Sequence, residues 1–526
     1  MLARKNSILN HSFIIIMSTI TSFTLSQSPQ CQLFPLYGRS FFSPRSQSLD
    51  APRDLVGTHR FMHRYDTDSY YGTVSITPQY MHSYKKDSIA EYFFGTNLLH
   101  IAGSQVSSRT SETILADYFG LSPAFESTVE VNPSIANFVA DIGFYGQWKR
   151  LYAMLHIPIA WTKWEFKLCE TIQNKGTDTP FPAKYMTTTE LIAPIVSFTR
   201  ALKGGVTFGD LKQGLCYGIV DCPQTKAGIA DIRATIGYDI WLREHGHAGF
   251  YAHCAAPTGN RSSARYLFEP ILGNGHHWEI GLGFNGRVLI WEADGDQTLS
   301  LFFDGKITHL FKSRQCRSFD FCRNCFGSRY TLLKQFDGHG NYTGYLVPAI
   351  NITTLPCDVV IDSQFDIAAM ISYLYRGFEF DAGYNTWART REKITICGCI
   401  EPRRYGFKGI QNVVNDIGQA SAVTQHSATL HGNLFENQSQ LTDDPSPCYI
   451  NTCNLDPSSA ASERSFTHKL FLYLGYAWNT QETTGFMPFI GIGGSVEFEG
   501  VYPDYTQPNK NSLSQYSIWL KGGTGF

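Results

Sequence analysis

The chain has 526 residues, with 43 Lys+Arg against 45 Asp+Glu, and a net charge of -2 excludes the basic excess of a nucleic-acid binder. Only 17% of residues are charged, against ~25% in ordinary soluble domains. Aromatics make up 14%, so a highly charged disordered chain is excluded as well.

At the N-terminus, Arg4 and Lys5 precede a mostly apolar run from Ser12 to Leu25 centred on Phe13, Ile14, Ile15, Ile16 and Met17. Small residues follow at Ser26 and Ser28, so 1–28 reads as an export signal and 29–54 as a periplasmic segment. No later run reaches 18 apolar residues, which leaves no helical membrane span.

From there the dominant signal has period two. Over 136–148, Phe138, Ala140, Ile142, Phe144 and Trp148 share one face, and Asn137, Asp141, Tyr145 and Gln147 the other. Over 229–243, Ile232, Ala234, Ile236, Tyr238 and Ile240 oppose Asp231, Arg233, Thr235 and Asp239. Over 362–375, Phe365, Ile367, Ala369, Ile371 and Tyr373 oppose Asp362, Gln364, Asp366 and Ser372. Over 377–391, Phe378, Phe380, Ala382, Tyr384 and Ala388 oppose Glu379, Asp381, Asn385, Arg389 and Arg391. Strands of soluble sheets usually stop at about five or six residues. A tilted membrane strand needs ~9–11 across the hydrocarbon, and these segments supply that length with a margin.

Strands are read at 70–84, 89–99, 136–148, 151–164, 229–243, 247–258, 276–291, 297–311, 362–375, 377–391, 465–478, 484–498 and 513–526. Connections alternate between short and long, as periplasmic turns alternate with external loops in outer-membrane barrels. Asp294-Gly295-Asp296 supplies hairpin-turn chemistry for one short connection. An even count needs one more strand, and Leu55, Phe61 and Tyr65 at matching parity place it in 55–68. The expected fold is all-β, a transmembrane antiparallel barrel of about 14 strands over 55–526 with long cysteine-bearing external loops. A strand pair in 185–208 would give 16.

The polar face supplies the candidate site. Asp141, Asp231, Arg233, Asp239, Asp362, Asp366, Glu379, Asp381, Arg389 and Arg391 are expected to line the pore. Charges tolerated there and excluded from lipid point to a water-filled lumen. Opposed acidic and basic groups tune selectivity, or else solvate the inner wall. The chain has no H-E-x-x-H, G-x-S-x-G or G-x-x-x-x-G-K-[ST] motif, and no catalytic group is expected. Gly491, Gly493 and Gly494 lie within a strand and read as relief of crowding, not as a dinucleotide loop.

The chain holds 13 cysteines. Cys169, Cys216 and Cys222 fall in one long connection, Cys316, Cys322, Cys325 and Cys357 in a second, and Cys397, Cys399, Cys448 and Cys453 in a third. An oxidising exterior favours disulfides among these eleven, with the pairing left open. Cys322-x-x-Cys325 lacks a second well-spaced pair, so neither a metal nor any other cofactor is expected.

In the last strand, Tyr516, Ile518, Leu520 and Phe526 share a parity and the sequence closes on Phe526. This end resembles the C-terminal strand signal of Gram-negative outer-membrane proteins. The resemblance implies that the barrel-assembly machinery reads these four residues, and that the chain lies in the outer membrane among its lipids. The extended segments, length and cysteine-bearing loops resemble chlamydial-type major outer-membrane proteins. The expected function is that of a porin passing small hydrophilic solutes and ions, with homo-oligomers allowed. The alternative is a surface protein, cross-linked through cysteines or in contact with a host.

Overall fold

The computed structural model describes residues 38–65, 69–110, 112–177, 179, 181, 195–293, 297–322, 324–337, 339, 342–408, 429–431, 449–478, 485–500 and 512–526. The export signal, the Asp294-Gly295-Asp296 turn, Cys31 and Cys448 lie outside them.

Twelve strands form the wall: β1 (Tyr71–Ser83), β2 (Glu126–Trp148), β3 (Leu151–Asn174), β4 (Ile232–Arg243), β5 (Gly246–Ala256), β6 (Glu279–Ala293), β7 (Gln297–Ser318), β8 (Thr354–Tyr375), β9 (Phe378–Arg389), β10 (Ser465–Ala477), β11 (Met487–Glu499) and β12 (Gln515–Gly525). Each pairs antiparallel with its sequence neighbour, and β12 pairs with β1 from Thr73↔Gly525 to Ser83↔Gln515, closing the sheet. Closure leaves no unpaired edge, the condition for a sheet to stand in hydrocarbon.

The count falls from the expected fourteen to twelve for two physical reasons. Residues 89–99 do not form a wall strand. Ile89, Ala90, Tyr92 and Phe93 recur at helical spacing, and a helix, α2 (Lys86–Phe94), buries them on one face; Gly95 ends it in the left-handed region at φ 77°. Leu98–Ala102 then pairs only with the far end of β2 and with Ile114–Leu115. Residues 55–65 do not form a strand either. A short helix, α1 (Ala51–Leu55), carries Pro52 in its first turn, and a 3-10 turn follows at His59–Phe61. Of the alternative hairpin at 185–208, residues 182–194 lie outside the described set, and Phe198–Leu202 is a helix, α3.

Short and long connections alternate strictly around the wall. At 376–377 the turn is tight enough to need positive φ at both residues, which Arg376 (46°) and Gly377 (89°) supply. Outward residues are apolar and exposed, including Phe138, Ile236, Leu282, Leu472 and Ile518. Trp148, Tyr238, Trp291 and Trp478 are exposed toward the short-turn end, and Trp161, Trp278 and Tyr516 toward the other. The ~10 residues between Phe138 and Trp148 cover about 25 Å at the usual strand rise and tilt, the height of a hydrocarbon band.

β2 and β3 run to 23 and 24 residues, beyond the ~9–11 that a tilted membrane strand needs. Their far ends join the long connections in a cap with its own apolar core. Phe42, Tyr92, Phe93, Leu115, Phe125, Trp164, Phe166, Phe268, Tyr330 and Ile350 are all buried there. The described parts of the long connections therefore fold together over one end of the barrel.

Candidate functional site

The inner face of the wall is occupied by the N-terminal segment. Residues 39–65, expected as a periplasmic tail followed by a wall strand, instead run the length of the lumen. At the cap end, Arg39 pairs with Glu463 at 2.5 Å and the Arg317 guanidinium lies 3.1 Å from the centre of the Phe41 ring. Phe42 enters the cap core beside Tyr92 and Trp164. Farther along, Val56 packs among Phe302, Met370, Phe471, Tyr473 and Trp519 from four wall strands. At the short-turn end, Phe61 packs on Phe489, and the Arg64 amide donates to the Tyr71 hydroxyl at the start of β1.

This plug meets eight of the ten charges expected to line the pore. Arg45 donates to Asp366 at 3.0 Å, to Asn385 at 2.8 Å and to Glu497 at 3.5 Å. Arg53 lies 3.3 Å from Asp141 and donates to Gln79 at 2.8 Å. Asp54 accepts from Arg233 at 2.6 Å. Ser46 and Ser48 both donate to Asp231 at 3.2 Å. His63 sits 2.9 Å from Asp239. Arg389 donates to the Ser43 hydroxyl and carbonyl. The Gly57 amide donates to Glu379 at 2.8 Å, and His59 Nε2 lies 3.8 Å from Asp381. Two further wall cations join them: Lys469 pairs with Asp50 at 3.2 Å, and Lys521 donates to the Arg53 carbonyl and to Thr58.

Two of the ten stand elsewhere. The β7–β8 register shifts near Ile361, which turns Asp362 away from the inner face; it pairs with exposed Lys393. Arg391 lies beyond the end of β9, half-exposed, and pairs with Glu463 in the cap. The expected transverse field across open water is therefore replaced by charge pairing with the plug.

Glycine placement serves the same filling. Gly57 has φ 74°, and a Cβ there would stand 2.6 Å from the Tyr473 hydroxyl. On β11, a Cβ at Gly491 or Gly493 would overlap Tyr473 or Trp519, so these glycines seat two inward rings. Beside the plug lies a cavity of about 80 Å³ bordered by Asp54, His59, His63, His156, His247, His253 and Lys306. His63 and His247 stack there, centres 3.8 Å apart.

Tyr516, Ile518 and Leu520 lie on the outer face of β12 and Phe526 directly follows its last residue, all four 44–52% exposed. The cysteines are a correction. Cys169, Cys216, Cys222, Cys316, Cys325, Cys357, Cys397, Cys399 and Cys453 are free thiols among the described residues. The reason is visible where three come close in register. Cys357 on β8 points inward and is buried, whereas Cys316 and Cys397, each one residue off its paired position, lie on the opposite face. Cys322, also expected in a disulfide, is in none involving another described cysteine.

The plug residues Arg45, Asp50, Arg53, Asp54, His59 and His63 were not among the expected site residues. They follow no strand or helix period. The signal available was the wall itself: inward charges in a narrow barrel require partners, and the charged stretch just before β1 is the nearest source in the chain.

No family model matches the chain, and no curated protein matches it. Among solved structures, the NanC porin is similar at 10% identity, covering 73% of this chain and 92% of that one, with a TM-score of 0.22. A Pseudomonas aeruginosa FadL homologue is similar at 8% identity, covering 93% and 97%, with a TM-score of 0.27. The outer-membrane protease OmpT from Escherichia coli is similar at 7% identity, covering 88% and 97%, with a TM-score of 0.21. Likeness at these scores carries no argument about what this chain does.

Proposed function

We propose that the protein is an outer-membrane porin for small hydrophilic solutes and ions, with passage governed by the 39–65 plug. The observation that carries this reading is the division of the wall. Its outer face is an apolar belt with aromatic ends, while its inner face carries charges held by a separate segment through polar contacts. A lumen built only for stability would be better filled by apolar side chains, because buried ion pairs are weak stabilisers relative to good packing. Planar-bilayer recording on the purified full chain tests the reading. Low or intermittent conductance is expected, rising in a plug variant such as Arg53→Gln. Silence from both, in protein whose barrel is intact by heat-modifiability on gels, contradicts it.

A second reading has its own support. Cys169, Cys222, Cys325, Cys397, Cys399 and Cys453 are exposed thiols on the cap side. They are placed to join neighbouring barrels, in keeping with the surface role that the chlamydial-type resemblance implies. Cross-linked ladders on non-reducing gels of membranes, collapsing with reductant, are the expected result. Monomer alone in oxidised membranes contradicts it.

A further inference from the structure

Two groups of histidine and carboxylate lie where the plug meets the wall, and they differ in what already neutralises them. The first is Asp54, Asp141 and His156. Arg233 lies 2.6 Å from Asp54 and 3.6 Å from Asp141, and Arg53 lies 3.3 Å from Asp141. Two guanidinium groups balance its two carboxylates.

The second is His59 from the plug with Glu379 and Asp381 from β9. Glu379 and Asp381 are two residues apart on one strand and so share the inner face. Among the described residues, neither forms an ion pair with a lysine or arginine. Asp381 is 0% exposed, and neither of its carboxylate oxygens has a donor in hydrogen-bond geometry, since the nearby Gly57 amide is directed at Glu379 and the Ser372 hydroxyl at His59. His59 Nδ1 also has no hydrogen-bond partner. The other ring nitrogen, Nε2, is held at 2.8 Å by the Ser372 hydroxyl, which fixes the imidazole. Such an outer hydrogen bond is the usual orienting contact of a metal-binding histidine. Nδ1 stands 3.4 Å from Glu379 Oε1 and Nε2 3.8 Å from Asp381 Oδ1, and one donor atom from each of the three residues lies within 4.8 Å of the others. Tetrahedral ligands at bonds of ~2.0–2.2 Å stand roughly 3.4 Å apart.

We infer that His59, Glu379 and Asp381 bind one divalent transition-metal ion that latches the plug to β9. One imidazole and two carboxylates suit Zn²⁺, with a fourth position left for water. Two adjacent buried carboxylates with no lysine or arginine in ion-pair contact, Arg60 and Lys521 acting on Glu379 only from farther off, carry a large desolvation cost, and a dication answers it directly. The site depends on the plug being docked, because it takes one ligand from the plug and two from the wall.

The test uses the full chain folded in detergent, stripped with EDTA, with its thiols alkylated so that cysteine cannot contribute ligands. Co²⁺ serves as the spectroscopic probe and Zn²⁺ as competitor. The expected result is one Co²⁺ per barrel, with visible bands free of sulfur charge transfer and lost on adding Zn²⁺. Asp381→Asn and His59→Ala should abolish that binding, Ser372→Ala should weaken it ~10–100-fold, and His156→Gln should leave it unchanged. Amides of 55–63 should exchange more slowly with the ion than without it. Absence of stoichiometric binding in the unmodified chain means that the carboxylates hold a proton instead, and overturns the inference. So does binding that survives both His59→Ala and Asp381→Asn. Neither readout depends on conductance, so this inference and the porin reading fail separately.

Discussion

Along β9, Phe378, Phe380 and Tyr384 are 62%, 44% and 40% exposed on the outer face, while Glu379, Asp381 and Asn385 between them are at most 3% exposed. The outer residues match a solvent, and any apolar side chain of similar size serves there. The inner residues face particular atoms of the plug, and each contact has its own geometry. The two faces of one strand should therefore fail differently: the outer through insertion, the inner through release of the plug from an otherwise intact wall.

The largest expected effect is on the inner side. Arg45→Ala removes one partner of both Asp366 and Glu497, leaving them Lys306 and Lys469, and loss of one member of a buried ionic cluster costs up to about 3–5 kcal/mol. Melting in detergent should fall accordingly while insertion is retained. An unchanged melting temperature breaks the claim that plug and wall are energetically coupled.

On the outer side, Leu472 lies midway between Phe466 and Trp478 on β10 and is 57% exposed. Leu472→Arg should cost about 2–4 kcal/mol in lipid. The comparison sharpens if its abundance in the membrane drops while the protein refolded in detergent conducts normally. Equal insertion of Leu472→Arg and wild type breaks the assignment of faces.

Gly57→Ala should cost about 1–3 kcal/mol from the left-handed backbone alone, with overlap on Tyr473 added. Higher open probability in bilayers with the wall unaltered is the expected outcome; wild-type gating contradicts the close approach.

The smallest effect is on pH. Burial alone would raise the Asp50 carboxyl, but Lys469, Arg53 and Arg45 hold it down to about 2. Its folded value is below its unfolded one, so its contribution is complete above about pH 4 and is lost as pH falls through about 2. Stability of the docked plug should decline over that window, and Asp50→Asn should flatten the decline. A profile identical in the two proteins removes Asp50 from the plug's contacts.

The same contrast explains what could be read from the residues. Every long alternating segment from 136 onward became a wall strand, because a closed sheet with an apolar outer face and a filled lumen imposes period two on each residue. At 89–99 the pattern was misread: Ile89 and Phe93 fit a helix four apart, and Gly95 marked its end. Leu55, Phe61 and Tyr65 fitted wall parity only because their spacings are even, while Pro52 and Gly57 marked a helix start and a turn. The charges on Asp141, Arg233 and Asp366 were assigned to the inner face, but the partners that decide their role come from a stretch with no period of its own. Asp362 was misplaced because a local irregularity in strand pairing shifts parity without leaving a trace in residue type.

Backbone amide exchange on the unmodified, detergent-folded chain tests the central claim most directly. If residues 43–60 fill the lumen, their amides should exchange far more slowly than those of a free chain, with protection extending toward that of β9 and β10. Complete exchange of 43–60 at the earliest time, beside a protected wall, would show an empty lumen and contradict the account.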